Sequence, residues 1–225
     1  MTEYRGRMLA EDLMLLFIDE TDGRVLVDST SIGNALAGAV LLELVNSGRV
    51  AFEADGKRLA VVDPTPLRSE FLQESLSRID KPMKPQRAVE RLRNHVRDNV
   101  MAQLQGRGVL TVEKSKVLGL FPKTHYSIQD HKAFSEIRDR VGNVALGYAA
   151  PDDRTGALIS LLYAVKGLHK VFKGDKREMN ARAKQISAGS WAGDAVKKAL
   201  EAVQVAVMAA VVASTAATAS TGGSS

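Results

Sequence analysis

Hydrophobic residues recur at intervals of three and four positions along much of the chain, which is the period of an amphipathic helix. The pattern is clearest at residues 36–45, where Leu36, Val40 and Leu44 fall on one side of a helix. Ser31 is the predicted N-cap of that helix, and Gly48 is its predicted end. The same period predicts further helices at residues 9–18, 68–79, 86–105, 131–148, 153–172, 176–188 and 191–213.

Two stretches follow the two-residue alternation of a β-strand instead. Residues 49–63 alternate on both sides of Asp55-Gly56, a dipeptide favoured in tight hairpins, and residues 112–127 form a second predicted hairpin. The segments "LVNSGRVAFE" and "LQGRGVLTVE" both run from a helix through glycine into a strand, sixty residues apart. These elements predict a mainly α-helical protein with short β-hairpins.

The two ends of the chain give separate expectations. The first twenty residues carry charges among their apolar positions, so we expect mature protein rather than a signal peptide. The apolar stretch from Ala199 is interrupted by Glu201 and Gln204 and is too short to span a bilayer, so it is predicted to be a buried helix. We predict a single domain at residues 1–213 and a disordered Ser/Thr/Ala/Gly tail at residues 214–225.

The amino-acid composition excludes some kinds of site chemistry and indicates the charge of the partners. Hydrophobic residues make up 45% of the chain, enough for a core, and there is no cysteine. Disulfides, thiol nucleophiles and thiolate metal sites are therefore excluded, and a cytoplasmic setting is expected. The net charge of +5 favours anionic partners without choosing among them.

No catalytic motif is visible. The histidines at positions 95, 125, 131 and 169 lack the two-histidine helix spacing of zinc hydrolases, and the chain has no phosphate-binding loop or serine elbow. We therefore predict no enzymatic activity, no cofactor and no metal site.

Arginines on the long predicted helix are the first candidate binding residues. Arg93 and Arg97 lie four residues apart beside the apolar stripe, so their side chains are neighbours that repel each other unless an anion lies between them. A phosphate would reverse that repulsion. The alternative, which spacing alone favours, is that Glu90 and Asp98 neutralise the arginines on a solvated face.

The second hairpin is the other candidate. It combines lysines with a run of apolar residues, a composition that suits contact with an anionic membrane surface. Packing into the core or against another subunit is the competing interpretation. The candidate residues are Lys114, Lys116, Val117, Leu118, Leu120, Phe121 and Lys123.

Four segments together resemble the Golgi phosphoprotein 3 family, in a bacterial-type form, over roughly residues 8–212. They are "LAEDLMLLFIDETDGRVL", "ALAGAVLLELVNSGRV", "GVLTVEKSKVLGLFPKTHY" and "PDDRTGALISLLYAV". The resemblance implies a compact helical bundle surrounded by amphipathic helices, without enzymatic activity. In eukaryotic members a tryptophan and three arginines bind phosphatidylinositol 4-phosphate, and a hydrophobic hairpin aids membrane insertion and self-association.

That pocket is only partly retained in this sequence. The tryptophan position falls near Asp28 and the first arginine position at Ala37. Arg97 matches the last arginine, and the remaining one falls at Asn94, unless a shift of one residue lets Arg93 serve. Because two of the four pocket positions are not retained, the resemblance implies weaker binding, to acidic phospholipid.

We therefore expect a peripheral membrane protein on the cytoplasmic side that binds anionic phospholipid through Arg93, Arg97 and the second hairpin. A phosphatidylinositol 4-phosphate-like head group is the narrower expectation. Cytoplasmic tails of membrane proteins and a homo-oligomer formed through the hairpin are further partners. The alternatives are a winged-helix-like nucleic-acid-binding protein, disfavoured because residues 36–46 contain no arginine or lysine, and a structural interaction module.

Overall fold

The computed structural model describes residues 6–117, 121–189 and 194–220. The predicted class, mainly α with short hairpins, is confirmed. The helices are α1 (Leu9–Leu16), α2 (Ser29–Asn46), α3 (Glu70–Ser77), α4 (Pro85–Gly106), α5 (His131–Leu146), α6 (Asp153–Ala164), α7 (Leu168–Val171), α8 (Lys176–Ser187) and α9 (Asp194–Ser220). The strands are β1 (Val50–Phe52), β2 (Leu59–Val61), β3 (Leu110–Val117) and β4 (Phe121–Ile128).

Helix α2 forms the centre of the molecule and packs against α1, α4, α6 and α9. Its residues are buried almost without interruption from Ser31 to Leu44. Small residues allow this close packing, since a Cβ atom at Gly38 would lie 2.9 Å from side-chain atoms of both Leu161 and Val207. A helix that is apolar on all sides is typical of the interior of a bundle.

The start of α2 differs from the prediction. Asp28, not Ser31, is the N-cap, and its side chain accepts a hydrogen bond from the Ser31 backbone N–H over 2.9 Å. Both residue types cap helices well, and the small residues between them gave no hydrophobic period to separate the two. The predicted end is confirmed, because Gly48 has a φ of 71° and follows the last turn.

Both hairpins are present. β1 pairs with β2 around Asp55-Gly56, and β3 pairs with β4 in antiparallel register from Leu110↔Ile128 to Val117↔Phe121. The repeated sequence pattern also corresponds to a repeated turn. The N–H of Arg49 donates to the carbonyl of Leu44, and the N–H of Val109 donates to that of Leu104, both over 2.9 Å.

The C-terminal part of the chain departs from two expectations. The predicted helix at residues 153–172 is divided, because Lys166, with a φ of 54°, separates α6 from α7. Helix α9 continues to Ser220, seven residues beyond the predicted end at residue 213. Alanine at positions 216, 217 and 219 favours helix, and the first residue that opposes it, Gly222, lies outside the described residues.

Helix α9 also corrects the prediction of a buried helix. One face packs on α2, α4 and α6, with Leu200, Val203 and Val207 buried. The opposite face exposes Val205, Met208 and Val212. The helix is therefore half-buried, with apolar residues on both faces.

Candidate functional site

Arg93 lies in an open cleft between the first turn of α2, the N-terminal half of α4 and the end of α9, here called the α2–α4–α9 cleft. Its volume is about 670 Å³. Helices α2 and α4 approach closely at its base, where a Cβ atom at Gly33 would lie 3.2 Å from the Arg93 carbonyl oxygen. The lining residues are Ser29, Thr30, Gly33, Arg87, Glu90, Arg93, Asn94, Ala213 and Ser214.

The charges in this cleft are unequal. Arg87 donates to Glu90 over 3.3 Å, so this pair is largely neutral. Arg93 is half-buried and forms no salt bridge with another residue in the described part of the chain. The predicted neutralisation by Glu90 thus applies to Arg87, and the Arg93 guanidinium supplies the excess positive charge of the cleft.

The first turn of α2 adds hydrogen-bond donors. The backbone N–H groups at the start of a helix have no acceptor within the helix and favour anions. Ser29 and Thr30 begin α2 and line the cleft, while Asp28 already occupies the N–H of Ser31. Burial alone would raise the pKa of Asp28, but hydrogen bonds from the Ser31 backbone and side chain outweigh it and lower that pKa. The N-cap carboxylate is therefore charged at neutral pH.

Arg97 lies in a different cleft, between α4 and the second hairpin. Its guanidinium donates to the Tyr126 hydroxyl over 2.9 Å. This cleft, of about 480 Å³, is lined by Arg97, Asp98, Met101, Ala102, Gln105, Val112, Thr124 and Tyr126. The structure thus places the two predicted head-group arginines on one helix, yet in adjacent clefts rather than a single pocket.

The two clefts nonetheless open on the same side of α4. At 100° per residue, Arg87, Asn94, Asp98 and Gln105 form one line along the helix, and these residues line one cleft or the other. Arg91, four residues after Arg87, instead donates to Asp80 and to the Arg78 carbonyl. Helix α4 therefore presents two neighbouring depressions. The one that contains Arg93 has a net positive lining, and in the other Arg97 lies beside Asp98.

The predicted membrane hairpin is only partly described. Lys114, Lys116 and Val117 lie on β3, and Phe121 and Lys123 lie on β4. Leu118 and Leu120 lie outside the described residues, as do the side chains of the other five. At its base, Val112 and Thr124 line the Arg97 cleft, so the hairpin begins next to α4.

The sequence analysis missed a buried ionic cluster at the start of α1. Asp12, almost fully buried, accepts from Arg7 Nε and from Arg154 Nε, each over 2.7 Å. Arg154 also donates to the Arg7 carbonyl over 2.6 Å. The only signal in the sequence was the acidic pair Glu11-Asp12 inside an apolar run. The cluster fastens α1 to α6 and lines a small surface cleft of about 190 Å³, with Asp12 at its buried end.

Two further carboxylates lie beside this cluster, Glu11 fully buried and Glu43 half-buried. Glu11 accepts the Met8 N–H over 2.6 Å, and Glu43 accepts the Leu9 N–H, so both satisfy donors at the start of α1. Burial raises the pKa of each above its ordinary value, against the lowering effect of those hydrogen bonds. Both carboxylates therefore stabilise the start of α1 by accepting its backbone N–H groups.

The structure argues against the winged-helix alternative. The helix that would enter a DNA groove, residues 36–46, belongs to α2 and is buried by its neighbours for most of that length. It has no free face for base edges. Among the described residues, no three histidine, aspartate or glutamate side chains are grouped so that they could hold a metal ion. No helix in the described ranges is both long and apolar enough to cross a bilayer.

The fold and the clefts define a mainly α-helical protein whose candidate binding sites are open and lined by arginines. Within that class, the family model of Golgi phosphoprotein 3 (GPP34) matches residues 9–203, most of the chain. The protein therefore belongs to the Golgi phosphoprotein 3 family, and the predicted resemblance is confirmed. No curated protein matches the chain.

Proposed function

We propose that the protein is a non-enzymatic peripheral membrane protein that binds the head group of an anionic phospholipid in the α2–α4–α9 cleft. The observation that carries this proposal is the half-buried Arg93 beside the first turn of α2. A phosphate placed there accepts from a guanidinium and from backbone N–H groups, the two kinds of donor that proteins use for this anion.

Family membership supports the choice of a lipid head group. The family pocket positions correspond to Asp28, Ala37, Asn94 and Arg97. Asp28 immediately precedes the cleft residue Ser29, and Asn94 lines the cleft. Ala37 is fully buried in the core and Arg97 lies in the adjacent cleft. A cleft with fewer arginines than the eukaryotic pocket is suited to acidic phospholipids in general, and phosphatidylinositol 4-phosphate is one candidate.

The second hairpin is proposed to add membrane contact. Lys114, Lys116 and Lys123 would attract the anionic surface, each by about 1 kcal/mol, while the segment from Val117 to Phe121 enters the lipid interface. The hairpin also remains a proposed site of self-association. Cytoplasmic tails of membrane proteins are the proposed protein partners, on the cytoplasmic face of the membrane.

Vesicle sedimentation tests the proposal. Binding to phosphatidylcholine vesicles should increase when phosphatidylglycerol or phosphatidylinositol 4-phosphate is added, and it should weaken with salt because exposed charges are screened over ~8 Å at physiological ionic strength. Arg93→Gln should weaken binding roughly fivefold, the ratio for about 1 kcal/mol. The matched control is Arg177→Gln, which removes an exposed arginine of α8 and changes net charge equally.

Equal binding to neutral and anionic vesicles would refute the electrostatic basis of the proposal. An equal loss for Arg93→Gln and Arg177→Gln would refute the cleft as the site, since net charge alone would then explain both. Replacing Leu120 and Phe121 by serine tests the hairpin in the same assay. A DNA mobility-shift assay with the same samples addresses the nucleic-acid alternative.

A further inference from the structure

Exposed apolar side chains in the described part of the chain concentrate on one face of α9. Val205 is 65% exposed, Met208 38% and Val212 63%. Their spacing of three and then four residues places them in one line along the helix. Contiguous apolar surface of this kind marks a contact with another molecule or with a membrane.

This face borders a groove between α9, the β1–β2 hairpin and the start of α4. The groove has a volume of about 580 Å³, and its wall includes Phe52, Val205 and Ala206. The Lys198 ammonium group lies over the Phe52 ring, with its Nζ 4.9 Å from the ring centre. The charged residues that line the groove are three lysines and one glutamate, Lys57, Lys84, Lys198 and Glu201.

The positive charge of the residues that line the groove distinguishes between a second copy of the chain and an anionic partner as its occupant. A second copy of the chain related by a two-fold axis would bring the same surface against itself. Three lysines and one glutamate give the lining of each copy a net charge of +2, so the two copies would repel each other. An anionic occupant is attracted instead, and the choice lies between an acidic polypeptide and an anionic lipid surface.

Continuity with the α2–α4–α9 cleft favours the lipid surface. Ala213, which lines that cleft, lies four residues after Ala209, which lines the groove, so the two are neighbours on the surface of α9. Along α4, Lys84 lines the groove and Arg87 lines the cleft, three residues apart. One lipid surface fills both depressions, whereas an acidic peptide in the groove leaves the cleft unexplained. A half-buried helix with apolar residues outward and lysines alongside is the form of an interfacial membrane contact.

We infer that the outer face of α9, formed by Val205, Met208 and Val212, enters the interfacial layer of an anionic membrane. Lys57, Lys84 and Lys198 contact lipid phosphates at the rim. The inference rests on the proposed function, because the same membrane supplies the head group to the cleft. It assigns the membrane contact to a helix face distinct from the hairpin at residues 112–127.

A fluorescent label can report this contact directly. The chain has no cysteine, so Met208→Cys can carry a single environment-sensitive fluorophore. With vesicles of phosphatidylcholine and phosphatidylglycerol, its emission should shift to the blue and be quenched by a spin label on the acyl chains. Tyr148→Cys is the control, because Tyr148 is 79% exposed but lies after α5, and its label should not respond.

A second set of variants measures how much the outer face of α9 contributes to the affinity for vesicles. Replacing Val205, Met208 and Val212 by glutamine removes apolar surface from exposed positions and retains helix propensity, so the melting temperature should be unchanged. Vesicle binding should fall roughly tenfold or more, because apolar area no longer leaves water on binding. Val62→Gln, at an exposed site after β2, should bind like the parent chain.

The outcomes separate the two proposals. Sedimentation with anionic vesicles but an unresponsive label at position 208 overturns this inference and leaves the proposed function intact. Absence of any vesicle binding overturns both. A label that responds to an acidic peptide or to increasing protein concentration, and not to vesicles, identifies a protein occupant and also overturns the inference.

Discussion

Replacing Arg154 by methionine tests the buried ionic cluster that fastens α1 to α6. The substitution keeps most of the volume of the side chain and removes its bonds to the Asp12 carboxylate and to the Arg7 carbonyl. The Asp12 side chain is only 4% exposed, so water replaces the lost donor only in part. The carboxylate would retain Arg7 alone.

The expected cost follows from this geometry. Breaking a buried ion pair by removing one partner costs about 3–5 kcal/mol. The remaining Arg7–Asp12 bond, at 2.7 Å, places Arg154→Met at the lower end, about 3 kcal/mol. For a chain of this length, each kcal/mol corresponds to roughly 2–4 °C in melting temperature. A decrease on the order of 10 °C is therefore expected.

Thermal and urea unfolding measure the effect, and a surface pair gives the control. Arg140 and Asp152 form an ion pair whose side chains are 56% and 47% exposed, so Arg140→Met should cost less than about 1 kcal/mol. Combining Arg154→Met with Asp12→Leu should restore part of the stability, because the buried carboxylate is then absent. The Arg7 guanidinium, 21% exposed, keeps its bond to the Ala133 carbonyl. A cost for Arg154→Met no larger than that for Arg140→Met would refute the reasoning.

Two further predictions concern buried polar groups. Asn34 is fully buried, and its amide has no hydrogen-bond partner among the residues that the structure describes. Asn34→Leu should therefore raise the free energy of unfolding by about 1–3 kcal/mol, whereas Asn94→Leu, at an exposed site, should change it by less than about 0.5 kcal/mol. Destabilisation by Asn34→Leu in a thermal melt would contradict this. Because burial raises the folded-state pKa of Glu43 above 4.5, its contribution to stability is present below that pH and is lost as pH rises through the raised pKa. Glu43→Gln should flatten this part of the pH profile of unfolding by urea, measured between about pH 4 and pH 8, and an unchanged profile would contradict it.

The parts of the fold that were predictable depend on local sequence. Asp55-Gly56 and the helix-ending Gly48 act through backbone conformations that few other residues adopt, so the turns they form could be read without knowledge of the neighbours. The start of α2 could not, because Asp28 and Ser31 are equivalent as caps. The apolar composition of α9 likewise concealed which face is exposed, since a helix apolar on both faces has no clear period.

The candidate site depended on contacts between distant residues and was only partly predictable. Spacing placed Arg93 and Arg97 on neighbouring positions of α4, and both do line clefts on its surface. What assigns Arg97 to a separate cleft is the Tyr126 hydroxyl, 29 residues away in sequence. The cluster around Asp12 joins residues up to 147 positions apart, and no local pattern pairs them.

Helix α4 relates all the proposed membrane contacts to one another. It has 22 residues and is therefore about 33 Å long. Three depressions follow one another along this helix. The groove lies at Lys84, the α2–α4–α9 cleft at Arg87 and Arg93, and the Arg97 cleft next to the second hairpin. Because these depressions follow one rigid helix, their spacing is set by its geometry and not by a mobile loop. A membrane that occupies one of them is thereby brought close to the next, so weak individual contacts can act together on a single surface.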